Sequence, residues 1–245
     1  MPATSNFQEA IREAQYGALV GPNVVNRALP YVGGGMVLTA AGVLGGMSLM
    51  VSAPALFMPL FWVALIGNFI LFFVAQNAAM KANNSTALPV LATYSLITGF
   101  TLSGIVSYAV AAAGVGAVGT AALATGITFL IASFFGRRMS DSVGQSLSAV
   151  VGLGIIGLVI AMVVQLVGSF FAPSMFAAGG FELMIAGFGT VLFVGAAFVD
   201  FYTMPRSYSD DQYLAGALGM YLTYINLFIF ILRLIIALQG GGRRD

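Results

Sequence analysis

The sequence predicts an all-α integral membrane protein of seven transmembrane helices, with the last helix central in the bundle. Three observations carry that prediction. Hydrophobic residues make up 60% of the 245 and charged residues only 7%, against about 25% charged in a soluble domain, and a soluble fold of this size has no interior able to hide so much apolar surface. The apolar residues fall into separate runs, each near the length of about 20 residues that a bilayer-spanning helix needs. The connections between runs are short, and Pro54, Pro173 and Pro205 punctuate three of them. Composition also excludes chemistries. With no cysteine and no histidine, the chain has no disulfide, no zinc site built on thiolate or imidazole, and no Ser-His or Cys-His nucleophile. Any pH sensing must run on carboxylates rather than imidazole. The net charge of +1 offers nothing to nucleic acid, and no enzymatic constellation stands out.

In chain order, residues 1–28 form a polar amino-terminal segment. They lack the basic start, apolar stretch and small-residue cleavage site of a signal peptide. Ser5-Asn6-Phe7-Gln8 fits a capping box, and Phe7, Ile11, Ala14 and Ala18 follow at helical spacing. The expectation is a short amphipathic helix over 5–19 on the membrane surface, ended by Gly21-Pro22, or else an unstructured tail. The transmembrane domain covers 29–238, with spans at 29–52, 55–77, 88–112, 116–136, 146–171, 181–203 and 213–238. Within them Gly42 and Gly46, and Gly152 with Gly154 and Gly157, suit closely packed helices. Residues 239–245 make a short polar tail.

Basic residues set the orientation. With the amino terminus in the cytoplasm, Arg12, Arg27, Lys81, Arg137, Arg138 and Arg206 lie inside, and only Arg243 and Arg244 outside. The carboxyl terminus is therefore expected outside. The short tails, with no organelle-retention signal, point to a bacterial inner membrane.

Charges inside spans are costly and mark function by default. At 100° per residue, Glu182, Gly189, Phe193, Ala196 and Asp200 share one stripe of span six. Gly216, Gly219, Thr223, Asn226, Phe230 and Arg233 share one stripe of span seven. Stripes that mix small and polar residues suit helix contact or a watered cavity better than lipid, so the two are expected to face each other. Asp200 then sits either shut inside the bundle or hydrated at the helix end. Arg233 either snorkels to the outer interface or pairs with Glu182 as a structural ion pair. Asn68, Gln165 and Asn226 are candidates for interhelical hydrogen bonds, worth about 0.6 kcal/mol each in membranes. No lysine in span seven is available for a retinal Schiff base, since Lys81 is the single lysine and lies in a loop.

The run Met220-Tyr221-Leu222-Thr223-Tyr224-Ile225-Asn226-Leu227-Phe228-Ile229-Phe230-Ile231-Leu232-Arg233 resembles the last helix of the Bax-inhibitor family. Val199-Asp200-Phe201 resembles the element closing that family's sixth helix. Thr98-Gly99-Phe100-Thr101-Leu102-Ser103-Gly104-Ile105-Val106 resembles its third-helix element, with Gly104 in place of a proline. The resemblance spans roughly residues 30–238.

It implies a pH-sensitive calcium leak in which paired aspartates share a proton and close a cation path from the cytoplasmic side. Two carboxylates in a low-dielectric site cannot both ionise cheaply, and losing their proton opens the site to a hard cation that prefers oxygen ligands. Thr223 stands where the second aspartate is expected, so Asp200 and Thr223 are the expected gate, a sensor built on one carboxyl. Arg206, Asp210 and Asp211 are candidates to couple to it. Asn226 and Thr101 are the expected cation path, in a cavity lined by spans three, six and seven. No cofactor is implied; calcium enters as the permeant ion and the lipid bilayer as the surrounding partner. The alternative implied by the family is a non-conducting regulator that binds other membrane proteins or a membrane-anchored protease.

Overall fold

Among the described residues seven long helices alternate in direction, and the turns between them fix which residues share an end of the bundle. The structure is a computed structural model that describes residues 19–172 and 179–240. Helix α1 (Val24–Ser52) gives way after the single residue Ala53 to α2 (Pro54–Met80), which takes Pro54 into its first turn. There the missing amide hydrogen costs nothing. Helices α3 (Asn84–Ala113) and α4 (Val115–Gly136) are separated only by Gly114. Its φ of +79° lies in the left-handed region that favours glycine. Then come α5 (Asp141–Phe171), α6 (Gly179–Ser207), a one-turn 3-10 helix (Asp210–Gln212) and α7 (Tyr213–Gly240). All seven long helices are apolar and long enough to cross a membrane.

Helix α7 is the hub. It packs against α1, α2, α3, α4 and α6, and Leu214, Leu218, Met220, Tyr221, Leu227 and Leu232 on it are almost fully buried. Helix α5 lies outside this ring, packed along α6 alone among the well-formed helix pairs. Its Val150, Leu153 and Ile156 remain exposed, as they should be where the solvent is lipid.

The tightest pair is α1 with α3, and small residues make it so. A Cβ at Gly42 would strike the Leu96 carbonyl, one at Gly99 the Thr39 carbonyl, and one at Gly46 the Ser103 hydroxyl. The other small-residue cluster divides. A Cβ at Gly154 would run into Leu192, whereas Gly152 and Gly157 meet nothing within 4 Å. Those two glycines point away from any helix, and the expectation of close packing holds only for Gly154.

Several helices run past the bounds read from the sequence: α2 ends at Met80, α3 begins at Asn84 and α5 at Asp141. Helix α1 starts at Val24, so the last residues of the expected amino-terminal segment are its first turns; Val24, Val25 and Ala28 are buried there while Arg27 stays at the rim. Helix α6 continues through Pro205 to Ser207, and Arg206 Nη1 donates back to the Tyr202 carbonyl (2.8 Å), satisfying the last turn as basic side chains do at helix ends. The amphipathic helix expected over 5–19 lies essentially outside the described residues, as does the tail beyond 240.

Candidate functional site

The stripes of α6 and α7 face each other along their length. Phe193 stacks on Phe230 with ring centroids 5.4 Å apart. Gly189 also lies against Phe230, and Gly216 against Met204. Each stripe carries one strongly polar position toward each end, and the two ends are built differently.

Toward the end that holds Arg27, Lys81, Arg137, Arg138 and Arg206, Asp200 sits seven residues before the last residue of α6, about 10 Å along the helix. It is therefore not a hydrated helix-end residue. Its Oδ2 is buried and has no hydrogen-bond partner, and the Thr223 hydroxyl is the side-chain group that interacts with its carboxyl. One turn nearer the basic end, on the same stripe as Thr223, a Cβ at Gly219 would meet nothing within 4 Å, so open space adjoins this part of the interface. Tyr208, just past the end of α6, is close enough to feel the Asp200 charge. Burial first, and that charge second, push its phenol above the ordinary value.

The charged residues expected to couple to Asp200 are engaged elsewhere. Arg206 Nε bonds the Asp141 carboxylate on α5 (3.1 Å), which also accepts from the Tyr202 hydroxyl (3.1 Å). Asp210 takes the backbone and side-chain nitrogens of Asn23 (2.9 and 3.1 Å), and Asp211 takes Arg27 (3.4 Å). Gly21 N adds a bond to the Pro205 carbonyl (3.1 Å), Asn84 Nδ2 one to the Asp211 carbonyl (3.1 Å), and Gln212 Nε2 one to the Met80 carbonyl (2.7 Å). The start of α1 and the α2–α3 turn thus clasp the connection that follows Asp200. Sequence reasoning missed this clasp, whose partners lie more than 100 residues apart.

At the other end of the same stripes, Arg233 and Glu182 come together in a two-pronged pair, Nε to Oε1 at 2.7 Å and Nη2 to Oε2 at 2.8 Å. Gln165 Nε2 from α5 donates to Oε2 as well (2.9 Å), and the guanidinium lies 5.4 Å from the Phe230 ring centre. The fork geometry suits a carboxylate held partly out of water. Arg233 pairs across the bundle rather than snorkelling away from it.

The expected cation path is not assembled as a unit. Asn226 turns its amide back to the Leu222 carbonyl (2.9 Å) and Thr101 its hydroxyl to the Thr98 carbonyl (2.8 Å). Helix α3 does not pack along α6, because α7 stands between them, so Thr101 and Asp200 do not line one passage. A cavity of about 500 Å³ does adjoin α7, but α1, α3 and α4 complete its wall, with Thr39, Val106, Val118, Tyr224 and Phe228 among its lining. It is a half-open apolar groove, with Leu44 and Val115 of its lining exposed at the surface.

A further polar cluster joins α1, α2, α3 and α7. The Thr39 and Tyr221 hydroxyls meet at 2.7 Å, Thr39 also reaches the Ser95 carbonyl (3.1 Å), and Asn68 Nδ2 donates to the Thr98 hydroxyl (3.0 Å). Asn68 was legible as interhelical glue; Tyr221 was not, since a tyrosine on a crowded helix reads as packing.

The family model described as "Inhibitor of apoptosis-promoting Bax1" matches residues 21–240. The chain belongs to the Bax-inhibitor family. An uncharacterized protein of Lactococcus lactis is 28% identical over 208 residues, covering 82% of this chain and 81% of its own. An uncharacterized membrane protein of Streptococcus pyogenes is 31% identical over 207 residues, covering 81% and 79%. Bax inhibitor 1 of Schizosaccharomyces pombe is 38% identical over 72 residues, or 29% of this chain and 26% of its own. This Bax-inhibitor family chain is thus a membrane protein, and two of the three runs that resemble family elements lie on α6 and α7.

Proposed function

We propose that the protein is a calcium leak pathway gated by a proton at Asp200, with its basic end in the cytoplasm of a bacterial cell and its inner membrane as host. The observation that supports this most is the buried, unpartnered Oδ2 of Asp200. A carboxyl oxygen held from water with no donor is a site for a proton, a water or a cation, because each supplies what the protein leaves out. Open space at Gly219 gives such a guest room on the basic side. Thr223 hydrogen-bonds without repelling, so the gate responds to one titration rather than to a shared proton. Deprotonation leaves a negative oxygen that attracts a calcium ion; protonation removes the attraction. The leak should therefore rise with pH.

Calcium entry into proteoliposomes across an imposed pH step tests this reading. Wild type should leak calcium with a pH-dependent rate. Asp200→Asn should flatten that dependence, Thr223→Asp should steepen it by adding a second carboxyl, and Gly219→Leu should reduce flux by filling the space. If none of the four conducts while all remain folded, the channel reading is lost. The protein is then better described as a non-conducting regulator that binds other membrane proteins.

A further inference from the structure

At the rim of the basic end, outside the spans, the three described acids are all engaged: Asp141 with Arg206, Asp211 with Arg27, and Asp210 with Asn23. Arg137 and Arg138 are not neutralised by any of them. Arg137 leans across the bundle, with Nη1 on the Asn26 side-chain oxygen (2.9 Å) and its guanidinium 5.7 Å from the Phe201 ring centre. Asn26 is a neutral acceptor, so the positive charge stays uncompensated. Removal from water draws the Arg137 guanidinium below its ordinary value, a cost that a nearby anion would offset. Arg138 lies 3.8 Å over the Phe134 ring. Phe134 and Phe135 are themselves exposed, at 54% and 56%, on the lipid-facing side of α4. Two consecutive arginines thus stand at the end of a transmembrane helix, Arg138 over the exposed Phe134 ring and Arg137 turned toward α1 and α6.

We propose that the α4–α5 turn, through Arg137 and through Arg138 over the exposed Phe134 ring, seats the headgroup of an anionic phospholipid. The charge and the exposed aromatic surface both argue for this occupant. Guanidinium forks match phosphate oxygens, basic pockets at transmembrane helix ends take anionic headgroups, and the phenyl rings below offer the chains a surface that a soluble anion would not use. The site does not depend on the proposed leak, nor on which side of the membrane the basic end faces.

The test is native mass spectrometry of the full detergent-solubilised chain titrated with dioleoyl phosphatidylglycerol or dioleoyl phosphatidylcholine. Wild type should prefer phosphatidylglycerol. Each of Arg137→Gln and Arg138→Gln should weaken that binding about fivefold, the worth of one basic residue near a membrane surface, with phosphatidylcholine binding as the check that the variants are folded. Arg27→Gln, whose charge is already paired, should leave the preference intact. An unchanged preference in the double glutamine variant overturns the proposal, and so does an equal loss in Arg27→Gln, which would make the effect one of general surface charge. Competition by inorganic phosphate at equal concentration would make this a soluble-anion site instead. If phosphatidylglycerol binds only after Glu9→Gln and Glu13→Gln, the pair in the wild-type chain is taken by the chain's own acids, and lipid as its occupant is overturned.

Discussion

Helix α6 carries two carboxyl side chains, Glu182 and Asp200, on one stripe, facing one neighbour, and the structure treats them in opposite ways. Glu182 receives three charge-assisted or polar donors from two helices. Asp200 has one hydroxyl neighbour and an oxygen with no partner. The first arrangement resembles a rivet: satisfied at every contact, it gains nothing from a proton or an ion. The second is unfinished, and an unfinished polar group inside a membrane bundle is where a mobile species has something to bind. The presence of a charge in a span is therefore less informative than whether the fold completes its hydrogen bonding.

Breaking the satisfied end should cost most. Arg233→Met strands Glu182, and the expected loss is about 2 kcal/mol. That is below the roughly 3–5 kcal/mol for breaking a fully buried pair, because Glu182 keeps part of its side chain open. A thermal melt of the detergent-solubilised protein measures it. The charge-swapped double variant Glu182→Arg with Arg233→Glu should recover part of the loss; if it is no better than the single variants, the pair is not what the two residues contribute. Gln165→Leu removes only one of the three donors and should cost about 1 kcal/mol in the same assay. A loss as large as that of Arg233→Met would place the weight on the α5–α6 contact instead of the ion pair.

The sequence made one part of this contrast legible and concealed the other. Helical spacing was enough to align Glu182 with Asp200 and Thr223 with Arg233, because a 100° rotation per residue is the same in water and in lipid. Composition was enough for seven spans. Hydrogen-bond completeness could not be read, because it depends on partners brought by other helices: Gln165 from α5 for Glu182, and nothing comparable for Asp200. The same limit hid the clasp, since Asn23 and Asp210 are separated by 187 positions and neither belongs to a motif. It also made Gly152, Gly154 and Gly157 look alike, although only Gly154 faces a neighbour. Thr101 entered the expected path through the family resemblance, yet a resemblance read helix by helix does not say which helices are neighbours, and α7 keeps α3 from α6.

The smallest expected effect is also the one that most directly tests the unfinished end. Asp200→Asn keeps the side chain's shape and breaks no ion pair, so global stability near neutral pH should move less than for either Arg233→Met or Gln165→Leu. Its mark should appear on Tyr208. That phenol is raised by burial and, secondarily, by the Asp200 charge. A raised value in the folded state means that Tyr208 contributes stability in full below the unfolded value of about 10, and that this contribution fades as pH climbs through the folded value. With asparagine at 200 the secondary cause disappears while burial remains. Tyr208 should then titrate at a lower pH than in wild type, still above the ordinary tyrosine value, and the alkaline loss of stability, which starts at the unchanged unfolded value, should be smaller and end earlier. Ultraviolet difference titration, with Tyr208→Phe to assign the signal, reads the shift. An unmoved Tyr208 titration would mean that the Asp200 charge does not reach the basic end, and a proton bound there would have no route by which to influence the clasped connection.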